Sequence, residues 1–168
     1  MILQRNRLKR LYLSSLVVLC GQAAAAAGPL PDGALDLDDY RGQVVLVHFW
    51  ASWSAPCRRS FPWLAAMHDR YAGQGLVIVA VNEDDAATAA RAFLEEFPVS
   101  FTRIRDANGE LFDAWDIVAM PSSYVIDRGG QVVARYLGFK PAQVAELEAT
   151  VRGALAGKPE RAGAYTSR

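Results

Sequence analysis

The sequence predicts an α/β domain in which a central mixed β-sheet is flanked by helices. Two near-continuous apolar runs, residues 44–50 and 76–81, are each followed by a segment of helical character, which is typical of parallel strands buried on both faces. A hairpin signal over residues 123–137 then precedes a closing amphipathic helix. A chain of 168 residues suits one such domain with a short segment attached.

The first predicted elements lead to a central strand and a long helix. Residues 34–37 (ALDL) are predicted to form a short strand, and residues 44–50 (VVLVHFW) a strand in the middle of the sheet. A helix is expected over residues 55–71. We expect it to be kinked or broken at Pro62, because proline lacks the N–H donor and clashes with the carbonyl one turn back. The glycines of GQG (73–75) end this helix.

The middle of the chain alternates strands with helices. Residues 76–81 (LVIVAV) predict a second buried strand, and the alanine-rich residues 86–97 predict a helix. A weaker strand is expected over residues 100–104. A short helix is expected over residues 108–116, after the turn residues ANG.

The end of the domain is predicted to form a hairpin followed by a helix. Residues 123–127 and 131–137 flank the turn residues RGG and predict two antiparallel strands. Residues 141–156 predict a closing helix. Its apolar face is spaced by three and four, and comprises Val144, Leu147, Val151 and Leu155. Residues 157–168 are expected to be a disordered tail.

Residues 1–27 have the three-part pattern of a secretory signal peptide. A basic segment ends at Arg10, an apolar run covers residues 11–19, and a small-residue stretch with A-x-A frames covers residues 23–27. Cleavage after residues 25–27 is the expectation. The alternative is an uncleaved N-terminal anchor, because apolar and small residues continue for about 17 positions, near the short limit for a spanning helix.

The charge distribution argues against a nucleic-acid partner. Four of the 18 basic residues and none of the 18 acidic residues lie in residues 1–27, so the remainder carries 14 basic and 18 acidic groups. This remainder is mildly acidic and has no basic patch.

The cysteine count leaves one thiol in the mature chain. Cys20 lies in the leader, and the bulky Leu19 before it does not suit lipid attachment, so we treat Cys20 as part of the leader. Cys57 then has no partner for an internal disulfide. A lone thiol in an oxidising compartment is either buried and inert or exposed and reactive.

Several motifs together resemble the exported TlpA/ResA-like thiol-disulfide proteins, which have a thioredoxin-like fold. They are LDDYRGQVVLVHFWASWSAPCRRSFPWL (37–64), IVAVNEDD (78–85) and VAMPSSYVIDRGGQVV (118–133). The resemblance implies a single thioredoxin-like domain over residues 33–156. In that family the first helix opens with two cysteines separated by two residues, which attack and then resolve a substrate disulfide.

This chain departs from the family pattern at the attacking position, where Ser54 stands, and keeps Cys57 at the resolving position. An ordinary dithiol cycle is therefore not expected, because a serine does not form an alkoxide near neutral pH. Ser54 is expected to cap the helix by accepting from the N–H of Cys57. The site is then a structural remnant, unless the helix start favours the Cys57 thiolate. Arg58 and Arg59 are expected to point away from the sulfur.

The resemblance also implies a client-binding groove. The proline before the hairpin, Pro121, is cis in thioredoxin-like proteins, and the backbone of Ala119 and Met120 can pair with an extended client chain. Trp53 and Pro56 are the further candidate substrate-binding residues.

The remaining candidates are acids and histidines. Asp85 is the best match to an acidic side chain that assists proton transfer in some ResA-like proteins, although capping a helix at Ala86 is its simpler role. His48 and His68 have no cysteine or histidine at ligand spacing, so a metal site is not expected. No haem-attachment motif is present and no cofactor is expected.

Three function classes remain open. The first is a monothiol protein that exchanges with or binds client thiols, in a periplasmic setting linked to cytochrome c maturation. The second is a non-catalytic binding module that uses the Pro121 groove. The third is a peroxiredoxin-like thiol peroxidase, which places serine or threonine three residues before its cysteine, as Ser54 stands to Cys57. That class also needs a proline where Trp50 stands, and Trp50 is expected to pack in the core.

The expected partners are client protein thiols or disulfides, with a membrane-bound electron donor as a further candidate. The expected location is the periplasm or another exported compartment, with contact to the inner membrane only through an uncleaved leader.

Overall fold

The computed structural model describes residues 30–157. The predicted leader, Cys20 and the tail after residue 157 lie outside the described residues. The helices and strands of the described part are, in chain order, β1 (Val44–Trp50), α1 (Ala55–Tyr71), β2 (Leu76–Asn82), α2 (Ala87–Glu96), β3 (Thr102–Arg105), α3 (Glu110–Ala114), β4 (Ser122–Ile126), β5 (Val132–Leu137) and α4 (Pro141–Leu155).

The five strands form one mixed sheet in the order β3-β2-β1-β4-β5. Strands β1, β2 and β3 run parallel, whereas β4 is antiparallel to β1 and β5 is antiparallel to β4. The predicted fold class, a single thioredoxin-like α/β domain, is confirmed. Because β1 lies in the middle, the loop that follows it emerges at the carboxyl edge of the parallel strands, where α/β sheets commonly carry their sites.

Both faces of the sheet are covered, as the continuous apolar runs predict. Alternate side chains of β1 enter two separate apolar clusters. Leu46 and Trp50 pack in the cluster that contains Phe61 of α1. Val47 and Phe49 pack in the second cluster, on the opposite face. The whole of β1 is buried, which explains why its sequence shows no alternation of polar and apolar residues.

The strand predicted at residues 34–37 is wrong. Residues Leu37–Tyr40 form a 3-10 helix, and Asp36 caps it by accepting a hydrogen bond from the Asp38 N–H at 2.9 Å. The aspartates of this segment bond the local backbone and so favour a turn over a strand. Leu35 and Leu37 still pack against the second cluster, which accounts for the apolar pattern that suggested a strand.

Helix α1 continues through Pro62. Of the two predicted outcomes the break is therefore wrong, and the kink stays a prediction. The bounds of α1 match the prediction, from the cap at Ser54 to its last residue, Tyr71. Phe61 and Leu64, on either side of the proline, are wholly buried. Burying such side chains stabilises the helix by about 2 kcal/mol each, which offsets a single lost backbone hydrogen bond.

Candidate functional site

The candidate site begins where β1 ends and α1 starts. Ser54 is the N-cap of α1 and has extended backbone dihedrals. The N–H of Cys57 donates to the Ser54 carbonyl at 3.0 Å and lies 3.4 Å from its Oγ. The Ser54 hydroxyl in turn donates to the Met120 carbonyl at 3.4 Å. Ser54 therefore links the start of the helix to the loop before β4, and it is itself only 4% exposed.

The Cys57 thiol lies beneath this cap. Its side chain is 0% exposed and belongs to the apolar cluster that includes Trp50 and Phe61. Burial raises the pKa of the Cys57 thiol, and the charge of Asp84 acts in the same direction. Hydrogen bonds with the Ser54 side chain and the Ala51 backbone oppose the rise, but the net shift is upward. A thiolate is therefore disfavoured in the folded protein.

The positive groups after Cys57 do not act on its sulfur. The Arg58 guanidinium pairs with the Glu96 carboxylate and lies over the rings of Phe93 and Phe97 at 5.6 and 5.1 Å. The Arg59 guanidinium contacts the Ala55 carbonyl at 3.4 Å. As the sequence suggests, both guanidinium groups make their contacts with groups other than the sulfur.

The loop beside the site presents apolar side chains. Trp53 is 72% exposed and Val118 is 66% exposed, whereas Trp50 is wholly buried in the core. The Met120–Pro121 peptide bond is cis. Trp53 directly precedes Ser54 in the chain. The Met120 carbonyl contacts the Ser54 hydroxyl, and Val118 lies two residues before Met120. We refer to Trp53, Val118 and Met120 as the apolar rim.

The neighbouring candidates for client contact are partly enclosed. Ala119, Met120 and Pro56 are half-buried and Pro121 is buried. The Ala119 carbonyl accepts a hydrogen bond from Ser122 Oγ at 2.7 Å. Of the candidate binding residues, Trp53 therefore offers the largest free surface.

The capping role that the sequence predicts for Asp85 is wrong, whereas its role in proton transfer stays a prediction. Asp85 is exposed, α2 begins at Ala87, and its N-cap Ala86 receives no side-chain hydrogen bond. The carboxylate that acts on Cys57 is the buried Asp84. The sequence shows three acids in a row after β2, and only the turn geometry decides which one faces inward.

Asp84 is fully engaged in local hydrogen bonds. Its carboxylate accepts from the Ser52 N–H at 3.1 Å, from Ser52 Oγ at 2.9 Å and from Asn82 Nδ2 at 2.7 Å. Asp84 thereby braces the loop that leads to Trp53.

Glu83 is a titratable group beside the site that the sequence did not single out. Its backbone N–H donates to the Trp50 carbonyl at 2.9 Å. Burial, followed by the negative charges of Asp106 and Asp84, raises the pKa of Glu83 to about 8. Its Oε1 is buried without a hydrogen-bond partner among the described residues. Glu83 is therefore largely protonated at neutral pH.

Replacing Glu83 by glutamine should change how stability depends on pH. The folded-state pKa of about 8 lies above the ordinary value of 4.5, so the folded protein holds the extra proton between these values. Its stability should fall as pH rises through this window. Urea unfolding from pH 4.5 to 9 should show that Glu83→Gln lessens the fall and gains roughly 1 kcal/mol near pH 9. Asp85→Asn is the exposed control, and equal slopes for all three proteins would contradict the assignment.

The two histidines lie in different settings. His48 is wholly buried between Ser60 and Ser123, and burial lowers its pKa to about 3. His68 is half-buried on α1, and its ring centroid lies 5.9 Å from that of Phe101 in an edge-to-face arrangement. Within residues 30–157 no group of three histidine, cysteine or acidic side chains is arranged to hold a metal ion.

No helix within residues 30–157 is both long and apolar enough to cross a membrane.

Comparison with known proteins identifies the family to which the sequence is similar. The sequence matches the Redoxin family over residues 23–151. It is 32% identical over 99 residues to the thiol-disulfide oxidoreductase ResA of Bacillus subtilis, covering 59% of this chain and 55% of that protein. It is 30% identical over 118 residues to ResA of Geobacillus thermodenitrificans, covering 66% of this chain and 68% of that protein. The chain thus spans little more than half the length of the Bacillus subtilis relative.

A solved structure shows the same similarity in three dimensions. A Chlorobium tepidum protein, provisionally named a thiol:disulfide interchange protein DsbE, superposes with a TM-score of 0.71 at 41% identity. The match covers 75% of this chain and 91% of that one.

Proposed function

Because the chain belongs to the Redoxin family and, within it, to the TlpA/ResA-like thiol-disulfide oxidoreductases, we propose that it binds client proteins at the apolar rim and lacks a dithiol cycle. One contrast carries the proposal: Cys57 is 0% exposed while Trp53 beside it is 72% exposed. The side chain proposed to contact clients is accessible to solvent, whereas the thiol that could react with them is buried.

The absence of a dithiol cycle follows from Ser54 and from the setting of Cys57. A mixed disulfide can form only at Cys57 and would need a second sulfur to resolve it, but Cys57 is the only cysteine among the described residues. The raised pKa of Cys57 further reduces its thiolate fraction. Client recognition therefore does not depend on covalent capture.

The rim has the properties of a recognition surface. Exposed tryptophan supplies a large apolar area with few rotatable bonds, and such residues carry much of the energy of protein interfaces. The adjacent backbone at Ala119 and Met120 would add contacts to an extended client segment. The clients we propose are unfolded or extended polypeptides that contain cysteine.

A second function, monothiol exchange, is favoured by one observation. Cys57 lies in the first turn of α1 and receives hydrogen bonds that lower its pKa, even though burial outweighs them. Transient opening of the Ser54 cap would expose the sulfur. Its thiolate could then attack a client disulfide, breaking the S–S bond to form a mixed disulfide and releasing the client's other sulfur as a thiolate.

The proposal also covers location and organisation. We propose a leader over residues 1–27, a thioredoxin-like domain over residues 33–156, and export to the periplasm with clients on the cytochrome c maturation side. The support is the leader pattern in the sequence and the family membership.

Binding to an unfolded probe tests the recognition surface. Reduced, carboxymethylated α-lactalbumin is unfolded and has no free thiol, so it reports non-covalent binding alone. Trp53→Ala should weaken its binding about tenfold, since an interface tryptophan contributes at least about 1–2 kcal/mol. Cys57→Ala should leave binding unchanged. Val132→Ala is the matched control, because Val132 is a 37% exposed apolar residue at the far end of the sheet from Pro121.

Two outcomes would decide against recognition at the rim. Equal affinity of Trp53→Ala and the unmodified protein would remove the rim as the binding surface. Capture that occurs only with a disulfide-containing form of the probe and disappears in Cys57→Ala would make monothiol exchange the function.

A further inference from the structure

His48 is a buried polar residue for which the proposed client binding gives no role. It lies in the middle of β1 with 0% exposure. Its Nδ1 is 2.8 Å from Ser123 Oγ on β4, and its Nε2 is 2.9 Å from Ser60 Oγ on α1. Burial lowers its pKa to about 3, so the ring is neutral at physiological pH. A neutral imidazole has one donor and one acceptor, and both are used here.

The direction of these hydrogen bonds follows from the serine on α1. Ser60 Oγ donates to the Cys57 carbonyl at 3.0 Å. A serine hydroxyl has one proton, so Ser60 must accept from His48, which places the imidazole proton on Nε2. Nδ1 then accepts from the Ser123 hydroxyl. The three hydrogen bonds form a directed chain from Ser123, through His48 and Ser60, to the carbonyl of Cys57.

This chain joins two parts of the candidate site. In the sheet, His48 lies directly opposite Ser123, two residues after Pro121. On the helix, Ser60 lies one turn after Cys57. The centroid of the Phe61 ring lies 6.4 Å from that of the imidazole, in an edge-to-face arrangement. The first turn of α1 is thus connected to the strand that follows the Met120–Pro121 loop.

We propose that His48 is a positioning residue that holds Cys57 in its shielded place beneath Ser54. By fixing the Cys57 carbonyl through Ser60 and anchoring that link to β4 through Ser123, it sets the depth of the sulfur below the surface. The inference rests on the proposed function, in which the buried Cys57 thiol can react only when the Ser54 cap opens transiently. An apolar residue at this position would fill the space but leave both serines without this partner.

Graded substitutions separate positioning from simple packing. In the full chain with Cys20→Ser, Cys57 is the one remaining thiol, so its labelling by iodoacetamide can be followed directly. A glutamine at position 48 reaches toward the place of Nε2 and can still donate to Ser60, whereas an asparagine reaches only toward Ser123. His48→Asn and Ser60→Ala should each raise the native labelling rate about tenfold, the effect of losing one buried hydrogen bond. His48→Gln should stay within about twofold of the unmodified protein.

Low concentrations of urea distinguish local opening from global unfolding. Labelling through local opening should depend little on urea, whereas labelling through global unfolding should rise steeply with it. We expect the faster labelling of His48→Asn to be of the first kind. Equal rates for the glutamine and asparagine variants, or acceleration only through global unfolding, would overturn the positioning role.

The tautomer of His48 gives a readout that needs no variant. Nitrogen-15 NMR of the unmodified protein should show a neutral ring protonated at Nε2, with no titration between about pH 8 and pH 4. A ring protonated at Nδ1, or one that titrates near pH 6, would overturn the hydrogen-bond chain. If Cys57 of the unmodified protein labels rapidly, the proposed function fails, while the NMR result and the ranking of variants still decide the role of His48.

Discussion

A Ser54→Cys variant is expected to catalyse the reduction of protein disulfides by a small thiol roughly 100-fold faster than the unmodified chain, because a second sulfur allows the mixed disulfide to be resolved. Residues 54 and 57 span the first turn of α1, a separation that is compatible with a disulfide. The apolar rim that would receive the substrate is already in place. Turnover of insulin with dithiothreitol as the donor is the measurement.

The depth of Ser54 determines how large this gain can be. Ser54 is 4% exposed and its hydroxyl contacts the Met120 carbonyl, so a new sulfur would have to displace that contact to meet a substrate. Ser54→Ala is the matched control, because it removes the hydroxyl without adding a sulfur, and it should remain inactive. Strong activity in the unmodified chain would contradict the proposed lack of a dithiol cycle. Inactivity of Ser54→Cys would show that the scaffold has lost its access to substrate.

The parts of the fold that the sequence predicts well are those set by local chemistry. The bounds of β1 and α1 agree with expectation because a buried apolar run and a Ser-x-Pro helix start are both local signals. The strand prediction for residues 34–37 is wrong because their apolar pattern and their local hydrogen bonding favour different structures. Their apolar residues pack against the sheet, but Asp36 bonds the local backbone and closes a 3-10 turn instead.

The candidate site is predictable only in part, because its interior depends on contacts between distant segments. Ser54, Cys57 and Pro121 can be identified from motifs. The choice of Asp84 over Asp85 depends on Ser52 and Asn82, which bond its carboxylate. No sequence pattern reveals such a pairing in advance.

The same limit applies to His48. Its position within an apolar strand indicates that the side chain is buried. The sequence does not indicate which residues form hydrogen bonds with its ring. Ser60 and Ser123 are 12 and 75 residues away in the chain, so only the packing of α1 and β4 on β1 brings them together.

Native Cys57 is expected to react with iodoacetamide at least about 100-fold more slowly than the same thiol in the unfolded chain. A locally opened state that costs about 3 kcal/mol is populated to less than 1%, and the reaction must pass through it. Burial raises the pKa of the Cys57 thiol in the closed state, so the closed state contributes little thiolate of its own. Labelling with and without denaturant, in the chain with Cys20→Ser, gives the ratio directly.

The pH dependence of that reaction identifies which effect controls Cys57. If burial dominates, the native rate should still be rising above pH 9, the ordinary value from which its pKa is raised, because deprotonation is displaced to higher pH. If the helix start dominated, the rate would level off below pH 8.

Ser54→Gly, which removes the covering side chain but retains a tolerated capping residue, should accelerate native labelling about tenfold. Val132→Ala, far from the site, should leave the rate unchanged. Rapid native labelling with a plateau below neutral pH would show that the serine does not shield the sulfur, and the chain would then be a working monothiol protein.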